Sequence, residues 1–132
     1  MILVKKMPSP DKEMDKILLI GAGGFLGAVC RFLLCELVEG QLGILSVNVL
    51  GSFMLGMIMY DTEYLGFIGP KGRIAFGTGF MGAFTTFSTF TVQSFSMPFI
   101  PALGNISANL FLTLTGVFFG RSVIKALSSR EI

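Results

Sequence analysis

Hydroxyl and phenyl side chains alternate in an apolar stretch near the middle of the chain. Residues 85–90 read Thr-Thr-Phe-Ser-Thr-Phe, and four of the first five carry a hydroxyl group. The surrounding segment from Ile74 to Phe95 has no charged residue and is long enough to cross about 30 Å of hydrocarbon. Polar groups in hydrocarbon need partners. The hydroxyls, preceded by Gly77, Gly79 and Gly82, therefore predict a membrane helix that is interrupted at mid-membrane to touch an ion.

This interruption could serve ions of either sign. Gly82 and Thr85 lie where the helix is expected to open, and backbone carbonyls freed there could coordinate a cation. Phe87 and Phe90 are three residues apart and share a helix face. The edge of a phenyl ring is positive, so the pair could also solvate a small anion. The alternative for both rings is lipid contact or core packing, which is common in a chain with 14 phenylalanines.

Two other apolar stretches carry isolated amides. Asn48 offers N–H donors that would suit an anion leaving its water shell. The alternative is a hydrogen bond from Asn48 to a neighbouring helix. Asn105, Asn109 and Thr113 follow one another at intervals of four residues and form one polar stripe on a helix. That stripe either joins two helices by hydrogen bonds or lines a polar track.

The first apolar stretch contains small residues and one arginine. Gly23 and Gly27 have the spacing that lets membrane helices approach closely, which predicts helix packing. Arg31 is costly in a membrane unless its side chain snorkels to the interface or is paired. It either reaches the outer interface near Glu36 or supplies a positive charge that draws anions into a vestibule.

Composition indicates a small membrane protein. Charged residues make up 14% of the 132 residues, against roughly 25% in soluble domains. Charge-poor stretches long enough for transmembrane helices cover residues of about 17–35, 42–60, 74–97 and 101–120. The prediction is an all-α membrane protein with four transmembrane helices in residues 17–125 and tails at 1–16 and 126–132. No soluble catalytic domain fits, so we expect neither an enzyme nor a nucleic-acid partner.

Basic residues lie on one side of such a four-helix arrangement. That side carries Lys5, Lys6, Lys12, Lys16, Lys71, Arg73, Arg121, Lys125 and Arg130. The opposite side has Glu36 and Glu39 but neither lysine nor arginine when Arg31 is counted as embedded. The positive-inside rule therefore predicts a multi-pass protein of the cell membrane, inserted in one orientation with both termini in the cytoplasm.

Three segments resemble the Fluc (CrcB) family of fluoride channels. The matching pieces are Gly23-Gly24-x-x-Gly27-Ala28-x-x-Arg31-Phe32, Val47-Asn48-x-x-Gly51-x-Phe53-x-x-Gly56 and Gly79-Phe80-x-Gly82-x-x-Thr85-Thr86-Phe87-Ser88-Thr89-Phe90. They occur in the family's order with one piece on each helix, and the resemblance covers residues of about 17–125. The last piece is highly specific.

The resemblance implies passive export of fluoride, which lowers its cytoplasmic concentration and toxicity. Family members are antiparallel dimers with two pores and a central sodium ion that is structural and not transported. The carbonyls that hold the sodium fall on Gly82 and Thr85. The residues assigned to fluoride and the pore are Asn48, Phe87, Ser88, Thr89, Phe90, Asn109 and Thr113, with Arg31 at a vestibule. Relatives commonly have tyrosine at the position of Asn105.

Three alternatives stay open at this stage. An antiparallel homodimer needs chains that insert both ways, so the one-sided basic residues favour a paralogous partner of opposite orientation over a second copy. A small four-helix exporter coupled to protons would need a membrane-embedded carboxylate, and every Asp and Glu lies outside the four spans or at their ends. The third alternative is a non-transporting assembly subunit, a function that does not explain the cluster of hydroxyl groups and phenylalanines in residues 85–90.

Overall fold

A computed structural model describes residues 10–129, and every regular element in that range is helical. Lys5, Lys6 and Arg130 of the basic set lie outside the described residues. In chain order the elements are α1 (Pro10–Leu37), α2 (Gln41–Tyr64), α3 (Pro70–Gly72), a π-helix (Arg73–Met81), α4 (Gly82–Phe84), α5 (Ser88–Phe95) and α6 (Phe99–Ser128).

Three of these helices, α1 from Lys12 onward, α2 and α6, are long and apolar enough to cross a membrane. The prediction of an all-helical membrane protein is confirmed at this level. Helix α1 begins at Pro10, before the expected span, because proline suits a first turn and an i,i+3 ion pair of 2.8 Å joins Glu13 to Lys16 there. Helix α6 includes Pro101 in its first turn, where the missing N–H has no helical partner to lose.

The third predicted span is divided into several helical segments. Helical geometry continues from Pro70 to Phe84, stops at residues 85–87 and resumes at Ser88. The sequence analysis did not predict the π-helix between residues 73 and 81, which packs chiefly on α1. A Cβ atom at Gly27 would overlap the backbone carbonyl of Phe80, so only glycine permits this approach of the two backbones.

Helices α2 and α6 form the second close pair. A Cβ atom at Gly120 would overlap the carbonyl of Phe53, and one at Gly56 would lie 2.5 Å from the carbonyl of Val117. The rings of Phe53 and Phe119 pack beside this contact with centroids 5.7 Å apart. Gly116 and Gly120 have the same i,i+4 spacing as the glycines of α1, a signal that the sequence analysis overlooked.

Polar contacts gather four helix ends at one end of the bundle. Lys71 at the start of α3 forms an ion pair of 3.3 Å with Asp15 on the first turns of α1. The Ser128 hydroxyl at the end of α6 donates to the carbonyl of Tyr64 at the end of α2 over 3.2 Å. The start of α1, the end of α2, the start of α3 and the end of α6 therefore lie on the same side.

The interior of the bundle is unusually polar. Among the described residues, the buried side chains other than glycine and alanine are Ile44, Val47, Ile58, Met81, Phe84, Phe90 and Ile124, against Asn48, Asp61, Thr86, Ser94, Asn105 and Asn109. Large apolar side chains are instead exposed along all the long helices. This inverted distribution suits a lipid environment, where hydrogen bonds and close packing hold helices together.

Candidate functional site

The non-helical residues 85–87 are stabilised by a side chain from another helix. The N–H of Thr86 donates to Oδ1 of Asn48 over 2.9 Å, and Nδ2 of Asn48 donates to the carbonyl of Thr86 over 3.1 Å. The carboxamide thus exchanges two hydrogen bonds with the backbone N–H and C=O of one residue, as paired residues of antiparallel strands do. The Thr86 N–H orients this amide, because only Oδ1 can accept from it.

The Thr86 side chain starts the next helix. Its hydroxyl oxygen accepts the backbone N–H of Thr89 over 3.2 Å, satisfying one of the N–H groups that the first turn of α5 leaves unpaired. Oγ1 of Thr86 also lies 2.9 Å from Oγ1 of Thr89 and 3.4 Å from Oγ of Ser88. The predicted pore hydroxyls of Ser88 and Thr89 therefore lie against Thr86 at the start of α5.

An amide relay, which we define as Asn48, Asn109 and Asn105, connects α2 to α6. Nδ2 of Asn48 donates to Oδ1 of Asn109 over 3.2 Å, and Nδ2 of Asn109 lies 3.1 Å from the carbonyl and 3.2 Å from Oδ1 of Asn105. Nδ2 of Asn105 then donates to Oγ of Ser94 on α5 over 2.8 Å. The Ser94 hydroxyl donates to the Phe90 carbonyl over 2.9 Å. Both N–H bonds of Asn48 are thus engaged within the chain.

Phe87 and Phe90 contact each other but differ in exposure. Their ring centroids are 5.8 Å apart at an interplanar angle of 56°, an arrangement that directs ring edges toward neighbouring faces. Phe90 is 7% exposed, whereas Phe87 is 77% exposed. One ring is therefore part of the interior of this chain, and the other extends from its surface.

A cavity of about 230 Å³ collects most of the predicted site. Its walls come from α2, from residues 85–87, from α5 and from α6. The lining residues are Asn48, Ser52, Leu55, Thr85, Thr86, Phe87, Phe90, Asn109, Leu110 and Thr113. The Thr113 hydroxyl donates to the Asn109 carbonyl over 2.6 Å. An ion in this cavity would meet phenyl rings and the side chains of Asn48, Thr86, Asn109 and Thr113, which already have hydrogen-bond partners in the chain.

Of the two residues predicted to bind a cation through their carbonyls, Thr85 lines this cavity and Gly82 does not. Because the Thr86 N–H is bonded to Asn48, it does not close a helical hydrogen bond onto the Gly82 carbonyl. Gly82 is exposed, and a Cβ atom there would meet open space. The Thr85 carbonyl accepts a long hydrogen bond of 3.4 Å from Nη1 of Arg31. Arg31 therefore points toward the break, and its guanidinium is held there rather than by an acidic side chain.

The structure thus places the predicted residues in three groups. Asn48, Phe87, Phe90, Asn109 and Thr113 line one cavity. Ser88 and Thr89 lie at the start of α5, and Gly82, Thr85 and Arg31 lie around the end of α4. The pore and sodium roles of these residues stay predictions.

Four polar residues of the site are absent from the set predicted for fluoride, the pore or sodium: Ser52 and Thr86, which line the cavity, and Ser94 and Asn105. Ser94 is 6% exposed and Asn105 is 8% exposed, and their side chains are bonded to each other. Ser94 lies four residues after Phe90, so its position on the same helix face was a usable signal in the sequence.

Comparison with known proteins places the chain in a family. Residues 18–121 match the family described as CrcB-like protein, Camphor Resistance (CrcB). A protein of Methanosarcina acetivorans named fluoride-specific ion channel FluC 2 is 94% identical over 126 residues, which are 96% of this chain and all of that protein. A protein of the same name from Methanosarcina mazei is 90% identical with the same coverage.

A more distant relative agrees with this assignment. Fluoride-specific ion channel FluC 1 of Methanosarcina acetivorans is 42% identical over 117 residues, covering 82% of this chain and 89% of that protein. The resemblance inferred from the three sequence segments is therefore confirmed. The chain belongs to the CrcB family.

Proposed function

We propose that this chain is a subunit of a fluoride-selective ion channel of the cell membrane, through which fluoride leaves the cytoplasm passively. The names of the relatives support fluoride as the transported ion. Proteins that are 94% and 90% identical over their whole length are called fluoride-specific ion channels. One structural observation carries the proposal. A single cavity brings together Asn48, Phe87, Phe90, Asn109 and Thr113 from separate elements.

The lining of this cavity favours a small, strongly hydrated anion over a cation. It contains no carboxylate, and it includes two phenyl rings, whose edges carry partial positive charge. Fluoride would pass along Phe87 and Phe90 and exchange its water for ring edges and for amide N–H groups. Because both N–H bonds of Asn48 are engaged, an anion at that residue has to replace the Asn109 or the Thr86 oxygen as the acceptor.

The third crossing of the membrane is formed by the segment from Pro70 to Phe95. Its start lies at the same bundle end as the start of α1, because Lys71 pairs with Asp15. Helix α6 leaves from its other end and returns, as the bond from Ser128 to Tyr64 requires. This path supports four crossings, with the non-helical residues 85–87 at mid-membrane.

The complete channel is an antiparallel dimer. Phe87 is 77% exposed beside the cavity, where a second subunit would enclose it. The partner is either a second copy of this chain or a paralogous subunit of opposite orientation. The latter is favoured by the one-sided basic residues, and both termini are then cytoplasmic.

A structural sodium ion fits the carbonyls near the end of α4. The ion would supply fixed positive charge at the dimer axis and is not transported. Gly82 offers a carbonyl released from helical bonding and an open surface around it, and Thr85 offers a second. Two carbonyls are too few for a cation that has lost its water, so each subunit would contribute a pair.

The two competing functions make different predictions for one experiment. The chain is purified, reconstituted in liposomes loaded with fluoride, and the external fluoride concentration is followed with an electrode. A channel releases fluoride once an ionophore balances the charge, with or without a pH gradient. The same measurement is made with the chain reconstituted together with a paralogous subunit. Release that requires a proton gradient would indicate an exporter, and no release from either preparation would indicate an assembly subunit.

The position of Asp61 already argues against a proton-coupled exporter. Its carboxylate accepts the N–H of Ile68 over 2.7 Å and fixes the connection between α2 and α3. It lines a separate cavity of about 150 Å³ whose walls include no predicted site residue. A carboxylate that cycles protons for transport would have to reach the substrate path.

A further inference from the structure

We propose that the hydrogen bond between Asn105 and Ser94 is a positioning link, which holds the Phe90 ring in the fluoride path. This inference rests on the proposed function and adds two residues to it. Neither lines the cavity of about 230 Å³. Their side chains are bonded to each other, and that of Ser94 is bonded to the Phe90 carbonyl, so we assign their effect to the position of Phe90.

Helix α5 cannot orient itself. It has eight residues and lies between the non-helical residues 85–87 and the short connection to α6. Helices of this length are unstable on their own, because nucleation costs more than so few hydrogen bonds return. The direction in which Phe90 points is therefore set by bonds from α5 to other helices.

Two such bonds hold the two ends of α5. At the start, Thr86 is held by Asn48 of α2 and caps the first turn. Toward the end, Ser94 is held by Asn105 of α6. Phe90 lies between these two points and is the only buried phenylalanine of α5.

The amide relay fixes the orientation of Asn105. Asn109 donates to the Asn105 oxygen, so the opposite end of that amide, Nδ2, is directed to Ser94. Ser94 then accepts from Asn105 and donates to the Phe90 carbonyl, which leaves its hydroxyl a single orientation. The series of hydrogen bonds therefore runs in one direction. It starts at the Thr86 N–H, passes through the amides of Asn48, Asn109 and Asn105 to the Ser94 hydroxyl, and ends at the Phe90 carbonyl.

The hydroxyl of Ser94 is set apart from the other hydroxyls of the third stretch by its interhelical partner. Ser96 makes the same bond to its own backbone, from Oγ to the Val92 carbonyl over 2.9 Å, but it is exposed. Ser94 is 6% exposed and lies under Asn105. Ser96→Ala is therefore a matched control for Ser94→Ala, since each change deletes one hydroxyl near the end of α5.

The experiment compares fluoride and chloride efflux from liposomes that contain the purified chain. A buried neutral hydrogen bond contributes about a twofold to tenfold preference for the conformation that it holds. We expect Ser94→Ala and Asn105→Leu to lower the fluoride rate by that factor and to lower the ratio of fluoride to chloride permeation. Loss of folded protein would lower both rates and leave the ratio unchanged.

Two further variants complete the test. Ser94→Thr keeps the hydroxyl, and Ser94 borders a surface groove of about 640 Å³ with room for a methyl group, so it should conduct as the unmodified chain does. The double variant Ser94→Ala/Asn105→Leu should lose less than the product of the two single effects, because both changes break the same Asn105–Ser94 bond.

Several results would overturn the link. They are unchanged selectivity in Ser94→Ala, equal loss in Ser96→Ala, failure of Ser94→Thr to conduct, or multiplied effects in the double variant. If Asn105→Leu does not fold, the comparison of Ser94→Ala with Ser94→Thr is sufficient to test the positioning link. Absence of fluoride efflux from the unmodified chain, both alone and reconstituted with a paralogous subunit, would refute the proposed function itself. That outcome differs from normal efflux in every variant.

Discussion

Replacing Asn48 with leucine tests how the non-helical residues are held. The change keeps the side-chain size but removes both bonds to the Thr86 peptide and the bond to Asn109. Thr86 is 6% exposed, so its N–H and its carbonyl would be left without partners in an apolar site. Each buried group left unpaired costs about 1–3 kcal/mol. We expect the free energy of unfolding to fall by about 2–6 kcal/mol, from the two backbone groups together.

The stability lost in Asn48→Leu shows whether Asn48 is an essential partner of the Thr86 backbone or makes an ordinary side-chain bond between helices. Interhelical side-chain bonds in membrane proteins contribute about 0.6 kcal/mol on average. Asn109→Leu removes bonds to the side chains of Asn48 and Asn105 and to a carbonyl within α6, so a loss of about 1 kcal/mol is expected. Ser107→Ala, at an exposed position of α6, should stay within about 0.5 kcal/mol of the unmodified chain.

Unfolding can be followed by far-UV circular dichroism in detergent micelles as a denaturing detergent is added, since the chain has no tryptophan for fluorescence. The free energy is obtained from the midpoint and slope for all three variants. A loss in Asn48→Leu no larger than the loss in Asn109→Leu would refute the view that Asn48 substitutes for a peptide partner.

Four further results are expected. Phe90→Ile keeps an apolar side chain but removes the ring edge, so fluoride efflux should fall while the protein stays folded; unchanged efflux would exclude an aromatic path. Fluoride efflux should be lost when sodium is replaced by potassium on both sides of the liposome, and full activity without sodium would contradict a structural sodium ion. Gly27→Ala should prevent α1 from packing on the Phe80 carbonyl, whereas Gly21→Ala meets open space; equal stability of the two in micelles would contradict that contact. Cysteines placed at the two termini should be labelled only after cells are opened, and equal labelling in intact cells would indicate dual insertion.

The helical architecture could be predicted because lipid leaves a strong signal in the sequence. Charged residues are excluded from hydrocarbon, so the charge-poor stretches mark α1, α2 and α6 directly. The crowded hydroxyls drew attention to residues 85–90, and helical geometry stops at 85–87. Whether this stop lies at mid-membrane stays a prediction.

The rest depended on partners that lie far apart in the chain. The π-helix from Arg73 to Met81 packs on α1, and nothing in those nine residues alone indicates a wider turn. The link from Asn105 to Ser94 requires two helices to be placed side by side. Asn48 was correctly seen to offer both donors and an acceptor, but its spacing could not tell an anion from a peptide group as its partner.

The exchange of bonds between Asn48 and Thr86 also constrains the order of folding. Membrane helices insert first and associate afterwards. Before α2 packs against this segment, an open backbone at Thr86 would have no partner in hydrocarbon, at a cost of several kcal/mol. If the segment from Pro70 to Phe95 crosses the membrane as proposed, it would then enter as a more continuous helix. It would open at Thr86 only when Asn48 packs against it, so that the cavity is the last part of the chain to form.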